Sequence, residues 1–405
     1  MEPFLVLDLS RLLWRAHRLA PTGIERVELA YARHLLTLDP ARVAFSAEFY
    51  GQVGLLGRQA AEDLIRACAR SWVEARPGDA ERISAQAKRL VYKSLFRGEA
   101  RLFRHLKRAG RPVAHLLVSH HHLDRPKPIQ RMKEQTGARF VCFIHDVLPV
   151  KFPEYVRPGH DQRHQTRMAN AARLADAVVV NSQVTADDFQ PFLDRARNKA
   201  RTLVAHLGVE HRRPAAVAPP AEAAPPYFVC VGTIEPRKNH LLLLNLWRSL
   251  YEELGEAAPR LVLVGHRGWE NDSVIAMLER SPFARKLVSE LGAVSDATLT
   301  TLLLGARAAL FASFGEGYGL PCAEALTLGV PVICSDLPVL REIYGEMPDY
   351  LDPLDGQGWR RTVLDYAAPG SARRAAQIER LAHWQPAEWS SHFTAVDALL
   401  SELAR

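Results

Sequence analysis

The sequence predicts an α/β protein made of two doubly wound, parallel-sheet domains in tandem, and three observations carry that prediction. Short continuous apolar runs alternate with longer helical patterns, as expected of parallel strands buried on both faces with helices between them. A proline-rich stretch, residues 214–226 (PAAVAPPAEAAPP), interrupts the rhythm near the middle without any apolar period and reads as a semi-rigid linker. The charge changes sign across it: residues 1–212 carry 35 Lys/Arg against 22 Asp/Glu, a balance of +13, and the remainder carries −6, for +7 overall. A chain of 405 residues is long enough for two or three domains, each with a sizeable core.

In chain order, the first domain, residues 1–213, has strand candidates at Phe4–Leu9, Val43–Phe49, His115–Ser119, Phe140–Ile144, Ala177–Val180 and Thr202–His206. The second, residues 227–386, has them at Tyr227–Val231, Leu261–Val264, Leu287–Leu291, Ala309–Ala312 and Val330–Cys334. In such sheets ligands bind at the carboxyl ends of the strands, so a site shared by two of them is expected in the cleft where they face each other. One segment departs from the pattern. Between Arg82 and Arg111, ten Lys/Arg and a single acid, Glu99, interleave with Ile83, Leu90, Leu95, Leu102 and Leu106. That spacing predicts a basic amphipathic helix or helix pair, which either touches anionic lipid or packs on its own domain. Near the C-terminus, Trp384 and Trp389 read as core packing ahead of an amphipathic helix, Phe393–Leu403.

Composition and missing motifs exclude several classes. With 48% apolar and 24% charged residues, the chain reads as an ordinary soluble globular protein. Its five cysteines are scattered, so neither a CxxC site nor a disulfide framework is visible. The opening MEPFLVLDLS has acids where a secretory signal has a basic start, and no apolar run approaches the ~18 residues of a membrane span. A reduced, cytoplasmic protein is therefore expected. There is no Gly-Lys dipeptide for a Walker phosphate loop, and no HExxH, GxSxG or EF-hand pattern. FGEGYGLP has glycines at 315, 317 and 319 but Leu320 where the dinucleotide fingerprint needs another. The basic half lacks interleaved aromatics, so nucleic acid is not an expected partner. His120-His121-His122 ends a strand whose alternation sends the middle imidazole away, so no metal site is assigned there; acceptor-cleft lining or plain surface are the other readings, and Arg163 and His164 are further acceptor candidates.

Two segments carry chemistry. In Ala309–Asp336 a strand runs into a three-glycine loop, Pro321 stands where a first helical residue belongs, and Gly329 follows the helix in the C′ position. The glycines allow backbone N–H groups to approach an anion at the helix N-terminus. Glu316 in the loop and Glu324 one turn into the helix would repel a phosphate unless they accept hydrogen bonds from neutral hydroxyls. The combination points to a ligand with phosphate in the middle and sugars on either side, a nucleotide-sugar. In Tyr227–His240 a strand ends in Gly232-Thr233, and Arg237-Lys238 follow just before a Leu-rich helix, the makings of a pyrophosphate clamp.

EGYGLPCAEAL, with glutamates at 316 and 324, resembles the E-x7-E motif of the family 4 retaining glycosyltransferases, which have the GT-B fold of two Rossmann-like domains facing a cleft. GTIEPRKNH is similar to the same family's G-x-x-x-x-R-K-N segment, and LVLVGHRG and LGAVSDATLTTLLLGARAALFASF lie between them in the family's order. The match is looser in the first half, at Thr22-Gly23-Ile24, Phe143-Ile144-His145-Asp146, Val179-Val180-Asn181-Ser182 and His206-Leu207-Gly208-Val209. Bacterial mannosyltransferase-like members are nearest in flavour.

The resemblance implies that Glu324 accepts hydrogen bonds from the nucleotide ribose and Glu316 from the donor sugar. Arg237 and Lys238, in the loop begun by Gly232 and Thr233, would neutralise the diphosphate. The backbone of Gly317, Tyr318, Gly319 and Leu320 would orient on sugar or phosphate. Gly23 would let backbone approach the phosphate from the first domain, although Thr22 replaces the first of the two glycines many members have there. His145 would sit beside the donor sugar with Asp146 near it. The implied catalytic set is His145, Glu316, Arg237 and Lys238, with no enzymic nucleophile, no cofactor and no metal, since the chain lacks a DxD motif. A C-terminal helix, about 387–405, would cross back onto the first domain. The implied activity is retaining transfer of a hexose to a saccharide or anionic lipid-linked acceptor in cell-surface glycan synthesis. GDP-mannose is the first donor expected and a UDP-sugar the second. The enzyme would be peripheral on the cytoplasmic face of the inner membrane through Arg82–Arg111. The alternatives are a GT-B sugar-nucleotide epimerase or phosphorylase and, apart from these, a non-enzymatic nucleic-acid-binding protein.

Overall fold

The computed structural model describes residues 2–16, 18, 21–74, 76, 78–210 and 225–405. Residues 214–224 of the expected linker lie outside these, and its last two prolines lead directly into a strand. The described chain forms two compact units. One comprises Met1–Val150, Asp161–Gly208 and Ala387–Arg405, the other Lys151–His160 and Val209–Pro386.

The first unit holds strands Phe4–Asp8 (β1), Val43–Phe49 (β2), Gln52–Leu55 (β3), Val113–Leu117 (β4), Arg139–Ile144 (β5), Ala177–Val180 (β6) and Arg201–Val204 (β7). They lie in the order β3-β2-β1-β4-β5-β6-β7, parallel throughout except for the antiparallel β2–β3 pair. β1, β4 and β6 are buried at every position, as a sheet covered on both faces requires. The second unit holds Tyr227–Val231 (β8), Arg260–Val264 (β9), Val288–Leu291 (β10), Ala308–Phe311 (β11), Val332–Ser335 (β12) and Asp349–Leu351 (β13). Their order is β10-β9-β8-β11-β12-β13, all parallel. Trp247, Trp359 and Tyr366 fill the core beneath that sheet.

Four features differ from the sequence reading or sharpen it. β3 and β13 are additional strands, too short to show an apolar run. β4 starts two residues earlier than expected. The basic segment is a helix pair, Asp79–Arg108, broken at Gly98 (φ 64°, ψ 166°). It buries Ile83, Leu90, Leu102 and Leu106 and packs chiefly along β3, so its apolar stripe faces its own unit; the Leu95 side chain lies outside the described residues. Finally, Lys151–His160, inside the expected first domain, packs with the second unit: the Tyr155 ring stacks on Phe314 (5.3 Å, 11°), and its carbonyl accepts from the Trp269 indole (3.1 Å).

The C-terminal helix, Trp389–Leu403, belongs to the first unit. Phe393, Val396, Leu399 and Leu400 form its buried face. The His392 ring bridges the carbonyl of His206 (3.1 Å) and the Tyr31 hydroxyl (2.9 Å), and Trp389 stacks on Phe393. Trp384 instead lies in the second unit against Tyr344, its indole near the Thr327 hydroxyl (3.3 Å). Among the described residues, no helix is long and apolar enough to cross a membrane.

Candidate active site

The order of the second sheet fixes where its chemistry can be. After β8 the chain winds outward through β9 and β10, then returns to the other side of β8 as β11. At such a switch point the loops leaving the two central strands diverge at their carboxyl ends, which opens a crevice for ligand. The two loops are Gly232–Asn239 after β8 and Ala312–Gly319 after β11, the two segments singled out from the sequence. They are tied together by the Phe314 N–H donating to the Arg237 carbonyl (2.8 Å) and by the Arg237 guanidinium donating to the Gly315 carbonyl.

Charge is concentrated where they meet. Lys238 Nζ lies 2.6 Å from Glu316 Oε1, and Arg237 reaches Glu316 Oε2 at 3.1 Å. The Ser313 hydroxyl donates to the same carboxylate (2.5 Å). The Glu316 side chain is only 8% exposed and that of Lys238 13%, so this is no solvated surface pair. Burial alone would raise the Glu316 carboxyl; Lys238 and Arg237, with Ser313, instead hold it down to about 2. Arg237 is braced on its other side by Glu235, also buried, at 2.6 Å. Glu235 was not read from the sequence. Its only signal there was membership of the same loop as the two cations.

Backbone geometry places these groups. Gly232 has φ 150°, a backbone conformation that residues with a side chain rarely adopt, and the Lys238 side chain runs beside it, Cε 3.4 Å from where a Cβ would be; Thr233 follows, half-buried. Gly319, at φ 82°, caps the helix Leu320–Thr327, with Pro321 in its first turn. The Tyr344 hydroxyl donates to the carbonyls of Tyr318 (2.9 Å) and Gly319 (2.8 Å), which fixes the loop against the next helix. Gly317 and Glu324 are half-buried. Glu324 lies one turn into the helix, whose other face, Cys322, Ala323, Ala325 and Leu326, is in the core. The structure thus brings Gly232, Thr233, Arg237, Lys238, Glu316, Gly317, Tyr318, Gly319, Leu320 and Glu324 to one unit.

Gly23 and His145 belong to the other unit. Gly23 opens the helix Gly23–Thr37, and Thr22 forms a capping box with Glu25, its N–H donating to Glu25 Oε2 (2.5 Å). Threonine at that position therefore has a structural use that a glycine lacks. His145 follows β5 and is 5% exposed. Its Nε2–H donates to the Val118 carbonyl (2.6 Å), its backbone N–H donates to His120 Nε2 (3.0 Å), and Asn181 donates to its carbonyl (2.9 Å). Burial pushes the imidazole down to about 4, so it is neutral near pH 7, with Nδ1 left as its acceptor. Asp146 beside it caps the next turn, accepting from the Leu148 N–H.

The His120–His122 run is divided. His120 is buried behind His145, together with His164, whose ring donates to the Asp146 carbonyl (3.2 Å). His121 approaches the Trp14 ring (6.4 Å), and His122 lies 3.4 Å from Glu48. Arg163 pairs with Asp124 (2.8 Å). His120 and His164 thus support the His145 loop rather than lining a surface.

The family described as "Glycosyl transferases group 1" matches residues 215–347, which include both loops of the switch point. Residues 215–347 are a group 1 glycosyltransferase domain. The chain is homologous to bacterial mannosyltransferases. It is 33% identical to the serotype-specific mannosyltransferase WbdA of Escherichia coli over 230 residues, which are 52% of this chain and 28% of that protein. It is 36% identical to the O-antigen chain mannosyltransferase B of E. coli over 165 residues, 41% of this chain and 43% of the relative. The chain therefore spans less than half the length of these two relatives. Among solved structures, Anabaena HepE in complex with UDP and glucose superposes with a TM-score of 0.66 at 14% identity, covering 98% of this chain and 99% of that one. An apo structure of OtsA gives 0.59 at 12% identity, covering 99% and 98%. At these identities the likeness is one of fold, the two parallel-sheet α/β domains of the GT-B glycosyltransferases. Within the group 1 domain, the E-x7-E carboxylates and the Arg237-Lys238 pair come from opposite sides of its switch point.

Proposed function

We propose that the chain is a retaining glycosyltransferase that moves a hexose, mannose in first place, from a nucleoside-diphosphate sugar to a saccharide or lipid-linked acceptor in surface-glycan synthesis. The observation that carries this reading is the buried meeting of Lys238 and Arg237 with Glu316 at the switch point of the group 1 domain. A diphosphate set there has two cations within reach, and their work grows as its bond to the sugar breaks and charge gathers on the phosphate oxygen. Glu316, already ionised, accepts from the sugar hydroxyls, and Glu324 accepts from the ribose. The bond from the anomeric carbon to phosphate oxygen breaks with its electron pair leaving on oxygen. The acceptor oxygen bonds to that carbon from the same face, and its proton passes to the departing phosphate. His145, neutral and locked by Val118 and His120, offers a fixed hydrogen-bond acceptor rather than a charge.

The mannosyltransferase relatives favour transfer over epimerase or phosphorylase chemistry and favour mannose as the sugar. For the acceptor, the first sheet has its own switch point, between β1 and β4, and Trp14, in the short helix Ser10–Arg15 that follows β1, is 62% exposed beside His121. An exposed indole there offers a flat apolar face to a sugar ring. The outward cations of Asp79–Arg108 suit an anionic membrane surface around a lipid-linked acceptor.

The test is transfer from GDP-mannose and UDP-sugars to lipid extracts and oligosaccharides, with product stereochemistry and EDTA controls. Lys238→Ala is expected to lose roughly 100-fold or more in kcat, the scale for removing one preorganised donor to a developing charge. Transfer that is unchanged in that variant, or that stops in EDTA, would contradict the reading.

A further inference from the structure

The amino edge of the first sheet, the end away from His145, holds a cavity of ≈ 620 Å³. Phe4 and Val43, which begin β1 and β2, and Leu55, which ends the antiparallel β3, give it an apolar floor. The second half of the Asp79–Arg108 helix pair supplies its rim with Arg101, Arg104, His105 and Arg108. These four recur at i, i+3, i+4 and i+7 and so share one helix face.

That face has no counter-charge of its own. Among the described residues no carboxylate pairs with Arg101, Arg104 or Arg108; the one side-chain bond there runs from Arg104 to the Ala100 carbonyl (3.3 Å). Glu99, the lone acid of the segment, is committed elsewhere, taking two bonds from Arg131 (2.9 and 2.6 Å) and one from the Val53 N–H (3.1 Å). The cavity's fourth guanidinium, Arg58, is bound by Glu62 (2.7 Å) and the carbonyls of Pro40 and Val43. The helix dipole favours cations in the last turn, which accounts for Arg108 and not for Arg101 two turns earlier. His105, against the Phe4 ring (5.6 Å), is pushed below its ordinary pKa by burial and by Arg101. Three like charges held together over an apolar floor match an amphiphilic anion, for guanidinium forks fit phosphate oxygens two at a time.

We propose that this cavity binds a phosphate ester, with the phosphate among Arg101, Arg104 and Arg108 and the apolar substituent over Phe4 and Leu55. The ester is either a membrane headgroup or a soluble metabolite, and the site is independent of the transfer chemistry at the carboxyl edges.

The test uses the whole chain carrying Lys238→Ala, so that the anion site of the second unit does not contribute. Calorimetry with hexyl phosphate is run beside flotation with vesicles of phosphatidylcholine, alone and mixed with phosphatidylglycerol. The variant Arg101→Gln/Arg104→Gln/Arg108→Gln changes exposed side chains only, and an unchanged Tm reports its folding. Lys88→Gln/Arg89→Gln/Lys93→Gln removes equal charge from the same helix pair outside the cavity. Binding that falls roughly tenfold or more in the first variant and holds in the second supports the site. Loss seen with hexyl phosphate alone identifies a soluble ester, and loss seen also with phosphatidylglycerol vesicles identifies a headgroup. No binding of either probe, binding that survives in the first variant, or equal loss in both variants would overturn it.

Discussion

Glu316 stays charged in a place that would ordinarily discharge it, because two cations reach it from the neighbouring loop. Its pKa lies below the ordinary 4.5, so the native state holds fewer protons than the unfolded one as pH falls through this range. The stabilisation is complete above about pH 4.5 and is lost toward pH 2. Lys238→Ala leaves the buried carboxylate with Arg237 and the Ser313 hydroxyl and is expected to cost roughly 2–3 kcal/mol, read by denaturant unfolding at neutral pH. The cost should shrink as the pH approaches 2; a constant cost would deny the pair its ionic character. For His145 the expected signature is an absence. A ring that stays neutral down to about 4 gives the kcat profile no inflection near 6.5 on its account, whereas an inflection there that vanishes in His145→Asn would show an exposed, titrating imidazole. Arg237, Lys238 and Glu316 were legible as residues because cations and carboxylates beside glycine-rich turns are unusual. That they pair with one another was not legible, and neither was Glu235, since 79 residues separate Arg237 from Glu316 and only the fold closes that distance.

The helix Leu320–Thr327 depends on a single left-handed residue. Gly319→Ala would put a methyl 2.9 Å from Leu340 Cδ2 at φ 82°. A cost of about 1–2 kcal/mol from backbone strain is expected, with a raised KM for the donor as the first turn shifts; an unchanged KM would separate the helix end from donor binding. The same scale shows what a sequence can and cannot announce about elements. β1, β5 and β6 were legible because continuous apolar runs leave few other structures open to them. β3, with only QVGL, and β13, with DYL, have too few residues to display a period, and the partners that order them, β2 and β12, lie outside the strands themselves. For the basic segment, composition offered a membrane face as well as packing on its own domain, and favoured the packing. The buried Ile83, Leu90, Leu102 and Leu106 assign the apolar stripe to the core and leave the cations on the outward face, with Tyr92 among them.

For the molecule as a whole, opposing groups of buried ionisable residues set the dependence of stability on pH. His115, His121, His122, His145, His240 and His392 are pushed down chiefly by burial to between about 3 and 4, with His120 and His164 lowered as well. The unfolded chain binds protons on them from 6.5 downward that the native chain refuses, so stability falls on acidification through that window. Asp8, raised by burial to about 6, and Glu28 and Glu48, raised to about 8, act the other way. The native state keeps their protons and loses that advantage as pH rises toward 8. The histidines outnumber the acids below 6.5 and the glutamates alone act above it, so the urea midpoint is expected to peak near pH 6.5. A midpoint rising steadily from pH 6 to 8 would refute this ledger of protons. The two-unit plan was legible in the charge reversal and the proline-rich stretch. The transfer of Lys151–His160 to the second unit was not, because no change of composition marks it.

Neither unit is an unbroken length of chain, and this dictates an order of events on the ribosome. Val209–Pro386 emerges in one piece and needs only Lys151–His160, already made, to be whole. Tyr31, synthesised early, must wait for His392, 361 positions downstream, before its hydroxyl is satisfied. The earlier-made half is therefore the later to mature, and a nascent chain stalled after Pro386 should display a finished second unit beside an unsealed first one that chaperones still recognise.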